Sequence, residues 1–304
     1  MTDTPNRSRW VSLLLVLLPL WLALSVGAAI WMYFRHAKEQ ERIEQRHFVE
    51  DISVPTLADD LNKLVRLIGE RNAGGETASK HLSATASMIQ GLLGPSNTGY
   101  TIHLLHGPEQ WPLIQVILYG KRADAPAIWI VTTYDSRQGS PGAEANASGV
   151  AATLAAAQAM AADKPDMDIR FMFLPHFNDP ESPTLDTVRT FKETIGSAVP
   201  PKTVLCVEAM GGGDSLWLTS RDTAALPLEL VQGLGTVRGA EVACLGEDTD
   251  LASVLFEMGL PAVRVATRPI VLPDEPDNRL PDAAKVAASA GRLVELIRRC
   301  AKTH

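Results

Sequence analysis

Residues 141–151 read PGAEANASGVA. Ser148 is a helix-start residue by type, and the run it opens, 148–162, is Ala-rich and helical in pattern. Just upstream, 127–133 reads as a strand whose end and exit are Thr132-Thr133-Tyr134-Asp135-Ser136. Downstream of the helix a second strand, 169–174, runs into Pro175-His176-Phe177-Asn178. A third, 203–207, runs into Glu208-Ala209-Met210-Gly211. Strands that alternate with helices imply an α/β fold. The expected form is a three-layer sandwich, a mostly parallel mixed β-sheet flanked by helices. In such folds ligands bind outside the carboxyl ends of the strands. The loops after these strands are therefore where chemistry is expected.

The alternation extends in both directions. Apolar spacing predicts helices at 57–70, 79–93, 184–195, 227–234, 251–258 and 282–300. It predicts further strands at 113–119, 242–245 and 262–266. The Pro-rich stretch 269–281 reads as a loop within the domain, and no internal repeat is present.

Ahead of the domain, 11–34 is an uncharged, Leu-rich run of 24 residues. As a helix it reaches roughly 36 Å, enough to cross a bilayer core with some tilt. Trp10, Trp31 and Tyr33 sit near its ends as interface anchors. The competing reading is a cleaved signal peptide with small residues at 25–29. The run exceeds the usual apolar core of such peptides, about 7–15 residues. The expected organisation is a tail at 1–10, a single-pass membrane anchor at 11–34, a helical spacer at 35–55 and a domain at 56–304. Membrane lipid is then a partner of the N-terminal helix. Arg7 and Arg9 precede the span, while Arg35, Lys38, Arg42 and Arg46 follow it. By that count the domain lies in the cytoplasm.

Composition narrows the function classes. The 304 residues carry a net charge of −7, with 46% hydrophobic and 21% charged residues, which excludes a disordered chain. The acidic balance and the lack of a basic block argue against nucleic acid as a partner. Three cysteines, Cys206, Cys244 and Cys300, cannot form a complete disulfide framework.

The ordered blocks resemble metallopeptidase family twenty-eight, the zinc aminopeptidases that also include glutaminyl cyclases. Members of that family read AHYDS, PGANDNASGVA, RFVFFxAEE, DMxG, SDHxxF…GIPAV and HTPEDTPD. This chain reads TTYDS, PGAEANASGVA, RFMFLPHFN, VEAMG, TDLASVLFEMGLPAV and IVLPDEPD, in the same order. The upstream IGERNAGGE is similar to the family's opening segment. The resemblance implies a zinc-exopeptidase-like fold over 56–304. Most members are secreted or exported. A periplasmic or extracellular domain is therefore implied, against the Lys/Arg count.

The same resemblance implies that the chemistry has been lost. In the family, two metal ions are held by two His, a bridging Asp, a Glu and one further acidic residue. A separate Glu acts as general base on metal-bound water. Matched residue by residue, Thr133 stands at the first His and Ala145 at the bridging Asp. Phe177 stands at the base, Asn178 at the Glu ligand and Ile270 at the last His. Only Glu208 keeps a ligand carboxylate, and Asp135 keeps the Asp of the first motif. Ala, Phe and Ile offer zinc no donor, and Thr and Asn offer only neutral oxygens. Placing Glu144 at the bridging position would break the register fixed by Asn146-Ala147-Ser148-Gly149. Of seven histidines only His176 falls among the motif blocks, where the family needs two.

The leading expectation is thus a membrane-anchored, aminopeptidase-like pseudoenzyme without metal, cofactor or catalytic residue. Its pocket, formed by Tyr134, Glu144, Asn146, Phe177, Asn178 and Glu208, would receive a peptide or protein. The alternative is an active metal-dependent aminopeptidase with a relocated or single zinc. His176, Asp179 and Glu181, with Asp135 and Glu208, would supply that site. Its signature is Asp135, His176 and Glu208 within about 2–2.5 Å of one ion. Carboxylates scattered or paired with arginines mark the first reading. A triad of Ser136, His176 and an Asp lacks a GxSxG elbow. Asn146-Ala147-Ser148 also matches a glycosylation acceptor, although it lies inside the cleft motif. Gly211-Gly212-Gly213 lacks a phosphate-binding context and reads as a loop that permits close backbone approach.

Overall fold

Strand β3, Ala127–Thr133, is apolar at its first five positions and buried at all seven. A strand with no solvent face belongs in the middle of a sheet covered on both sides. β3 sits there in the computed structural model. That structure describes residues 52–179, 183–196, 201–212, 215–220, 240–244, 250–272 and 274–302, with isolated positions between 17 and 32. The chain divides into units of residues 1–46 and 47–304. The anchor expected at 11–34 lies largely outside the described residues, as do the spacer at 35–50 and the helix at 227–234. Among the described residues no helix is long and apolar enough to cross a membrane.

β3 pairs in parallel with β4, Ile169–Leu174, and with β5, Pro201–Val207. Beyond β4 lie β2, Leu113–Leu118, and β1, Ile102–Leu105, both antiparallel to their neighbours. Beyond β5 comes β8, Ala262–Ala266, parallel to it. Next is β6, Leu216–Ser220, antiparallel to β8, and then β7, Ala240–Cys244, parallel to β6. The order is β1-β2-β4-β3-β5-β8-β6-β7. The mixed, mainly parallel sheet is the one the sequence implies.

Successive β3 side chains point to opposite faces, and each face meets helices. Ile128 and Ile130 pack with Leu61 of α1 (Val54–Asn62), Leu82 and Ile89 of α2 (Glu76–Leu93), Leu154 of α3 (Ser148–Ala159) and Leu293 of α6 (Ala283–Cys300). Trp129 and Val131 pack with Phe191 of α4 (Thr184–Gly196) and Leu255 of α5 (Leu251–Glu257). The Trp129 and Phe191 rings meet edge to face, 5.5 Å apart. Burying a side chain of this class contributes roughly 1.5–3 kcal/mol, so the two faces together fix β3 as the central strand.

Several boundaries differ from expectation. α1 begins at Val54 because the Ser53 hydroxyl accepts the Thr56 N–H, and it continues through a wider turn, Lys63–Ile68, that Gly69 closes with φ of 79°. α3 ends at Ala159, short of 162, and is preceded by a wide turn at Ala143–Ala147. Strands β1 and β6 were not foreseen. Both are short, and β1 is an edge strand with no buried position to create an alternating pattern. One glycine positions the site. A Cβ on Gly149 would lie 2.9 Å from both the Val207 carbonyl oxygen and the Glu208 Cα. Only glycine lets α3 start this close to the end of β5.

Candidate functional site

The ends of β3, β4 and β5 and the start of α3 converge, as the sequence implies. Asp135, just past β3, is fully buried. Its Oδ2 accepts the backbone N–H groups of Phe177 at 2.8 Å, Asn178 at 2.7 Å and Asp179 at 3.3 Å. Its Oδ1 accepts Asn178 Nδ2 at 2.8 Å. Burial pushes the carboxyl pKa up, and these hydrogen bonds pull against that. Asp135 is therefore a bracket that holds the loop after β4. Asn178 Nδ2 also donates to Thr133 Oγ1 at 2.8 Å, and Asn146 Nδ2 approaches the same oxygen at 3.4 Å. Thr133, Asn146 and Asn178 thus form a neutral network.

The start of α3 is held from the far loop. Asp277 Oδ1 accepts the Glu144 N–H at 2.6 Å, and Oδ2 accepts that of Ala145 at 3.1 Å. Glu144 turns the other way, where its Oε1 accepts the Gly211 N–H at 2.7 Å. Burial raises the Glu144 pKa. A Cβ on Gly211 would sit 2.5 Å from Glu144 Oε2, so the glycine run does permit a close approach. Ser148 Oγ donates to the Glu144 carbonyl at 2.6 Å and accepts the Met210 N–H at 2.8 Å.

At the end of β5, half-buried Glu208 accepts a hydrogen bond from Arg264 Nε of β8. Burial raises the Glu208 pKa and the Arg264 charge opposes the rise. The loop of 268–277 carries half-buried Ile270. Arg137 donates to the Leu272 and Glu275 carbonyls of this loop, and Arg268 pairs with the Glu275 side chain at 2.7 Å. That pairing holds the Glu275 pKa below the usual range.

Other expected residues are placed differently. The Tyr134 side chain is buried in the core, where its hydroxyl donates to the Pro112 carbonyl at 2.8 Å, so it is not a pocket wall. His176 is fully buried edge-on to Trp111, ring centroids 5.3 Å apart, and neither ring nitrogen has a hydrogen-bond partner. Burial lowers its pKa to about 4. Ser136 Oγ accepts the Arg71 N–H and donates to the Ser140 carbonyl, bonds that hold two loops together. Asp179 Oδ1 lies 3.4 Å from Gln138 Nε2, and Glu181 falls outside the described residues. Among the described residues no group of three or more His, Cys, Asp or Glu is placed to hold a metal ion. A cleft of about 400 Å³ opens nearby, lined by Glu70, Asn72, Glu76, Thr77 and Gln138 and by none of the expected pocket residues.

Sequence reading passed over three residues. Arg264 interrupts the apolar run AVRVA of a fully buried strand, and that interruption was the available signal. Asp277 lay in the quoted IVLPDEPD, but its cap on a turn 133 residues away has no local sign. Arg71, fully buried, donates to the carbonyls of Leu64, Gly69, Tyr134 and Pro141.

A model of Peptidase family M28 matches residues 115–176, which hold most of β2 together with β3, α3 and β4. Over that stretch the chain is similar to the M28 peptidases. The fold agrees. The LapA aminopeptidase of Legionella pneumophila superposes with a TM-score of 0.66 at 15% identity, covering 87% of this chain and 75% of that one. A glutaminyl cyclase of Tannerella forsythia gives 0.59 at 13% identity, covering 82% and 99%. A Zn-dependent exopeptidase from Parabacteroides distasonis gives 0.56 at 14%, covering 82% and 98%. No curated protein matches the chain. The positions that the sequence resemblance matches to that family's ligands do not fit a pair of zinc ions. Thr133 and Asn178 are bonded to each other, Ala145, Phe177 and Ile270 have no side-chain donor, and Glu208 is engaged by an arginine.

Proposed function

We propose that this M28 relative is a non-catalytic binding protein. The observation that carries the reading is the hydrogen-bonded network of Thr133, Asn178 and Asp135. A catalytic site exposes donors to an incoming ion or substrate, whereas here the Thr133 hydroxyl, the Asn178 Nδ2 and both Asp135 oxygens are committed to neighbours. Phe177, at the position of the general base, is a half-buried phenyl ring with no proton to move. The domain would receive a peptide or protein ligand at the loops that follow its central strands, where Phe177 and Ile270 are apolar. We further read 11–34 as a membrane anchor from its length and lack of charge, with the domain outside the cytoplasm as in most of the family.

Metal content of the purified full-length chain tests this. After incubation with excess zinc and dialysis, fewer than about 0.1 zinc per chain is expected, with no hydrolysis of aminoacyl substrates. One or two zinc ions per chain with aminopeptidase activity would replace the reading with the enzymatic one. Orientation is tested separately by labelling single cysteines introduced on the domain surface.

A further inference from the structure

We propose that the Arg264 guanidinium is the resident cation of this site. It supplies the positive charge that metal ions supply in the family, and it bars a divalent ion from Glu208. The inference rests on the metal-free reading above.

Arg264 is in the middle of β8, whose five residues are all buried, and its side chain is 1% exposed. An arginine is almost never buried to that extent without partners. Three pieces of chain supply them. Glu208 at the end of β5 accepts from Nε. The Arg268 carbonyl, at the head of the loop that carries Ile270, accepts from Nη1 at 3.0 Å. Asp250 Oδ2 lies 4.0 Å from Nε, while its Oδ1 caps α5 by accepting the Ser253 N–H at 2.6 Å. One guanidinium therefore faces two carboxylates. It also ties the retained ligand position to the loop of a lost one.

The electrostatics follow. Glu208 and Asp250 together would repel each other in a buried site unless a cation stood between them. A guanidinium keeps its charge across the physiological range and cannot be chelated away. A metal approaching Glu208 must displace the Nε–H and then sit beside a fixed like charge. Arg264 thus makes the carboxylate both affordable to the fold and closed to ions.

The test uses the full-length chain and variants Arg264→Gln, Arg264→Lys, Glu208→Gln and the double E208Q/R264Q. Urea midpoints are read with and without zinc. Arg264→Gln should lose the most, because it leaves two uncompensated carboxylates. The double variant should recover at least half of that loss, and Arg264→Lys should lie between wild type and Arg264→Gln. Zinc should raise the Arg264→Gln midpoint and leave wild type and the double variant unmoved. If Arg264→Gln is insoluble, a soluble double variant still supports the proposal. A double variant no better than Arg264→Gln overturns it, as does an Arg264→Gln chain as indifferent to zinc as wild type. Zinc raising the wild-type midpoint would instead sink the metal-free reading itself.

Discussion

At the end of β3, Thr133, Asn146 and Asn178 meet without charge, and the one carboxylate beside them, Asp135, is saturated by N–H groups. One strand over, at the end of β5, Glu208 keeps its carboxylate and meets the guanidinium of Arg264. Both places are ones that the sequence resemblance matches to ligand positions of the M28 peptidases. In the first, the side chains need no counter-charge. In the second, a carboxylate has its counter-charge on the next strand. A polar site can thus be made self-sufficient by removing charge or by internalising its partner.

The sharpest challenge to this contrast is Asp135→Ala. It strands three backbone N–H groups in a buried place and takes one of the two acceptors of Asn178 Nδ2, at a cost of about 3–5 kcal/mol. Urea denaturation measures it. A loss below about 1 kcal/mol would show that the β3 end does not depend on its bracket.

A smaller effect tests whether the β4 loop is as charge-free as it looks. His176 has a folded pKa of about 4, below the unfolded value near 6.5. Above pH 6.5 both states are neutral and there is no pH dependence. Below it the unfolded state takes up a proton first, so stability falls until about pH 4 and then levels. Wild type should lose about 2 kcal/mol more than His176→Phe between pH 8 and pH 5. Parallel pH profiles of the two proteins would mean that the imidazole is charged or exposed in the fold.

The mildest perturbation is Thr133→Val, which removes one acceptor but leaves Asn178 Nδ2 on Asp135 Oδ1. About 1 kcal/mol is expected in thermal or urea unfolding. A loss as large as that of Arg264→Gln would erase the distinction between the neutral and the ionic ends.

The architecture was legible because β3, α3 and β4 carry patterns of the right period, and residue type alone says that Ala145, Phe177 and Ile270 lack side-chain donors. The contacts of the polar side chains were not. That Thr133 bonds to Asn178, or that Glu208 meets Arg264, depends on strand neighbours far apart in sequence. Tyr134 was misplaced for a related reason. Its neighbours Thr133 and Asp135 face the site, and its own side chain points into the core toward Pro112. β1 escaped notice because an edge strand needs no apolar alternation.

The Asn146-Ala147-Ser148 triplet sets an order of events. Asn146 is 3% exposed, and the Ser148 hydroxyl is bonded on both sides. An oligosaccharyltransferase would meet an open acceptor only on a chain whose α3 has not yet docked on β5. If this protein passes through a glycosylating compartment, folding and sugar transfer race for the same amide. A glycan found there would record that folding came second.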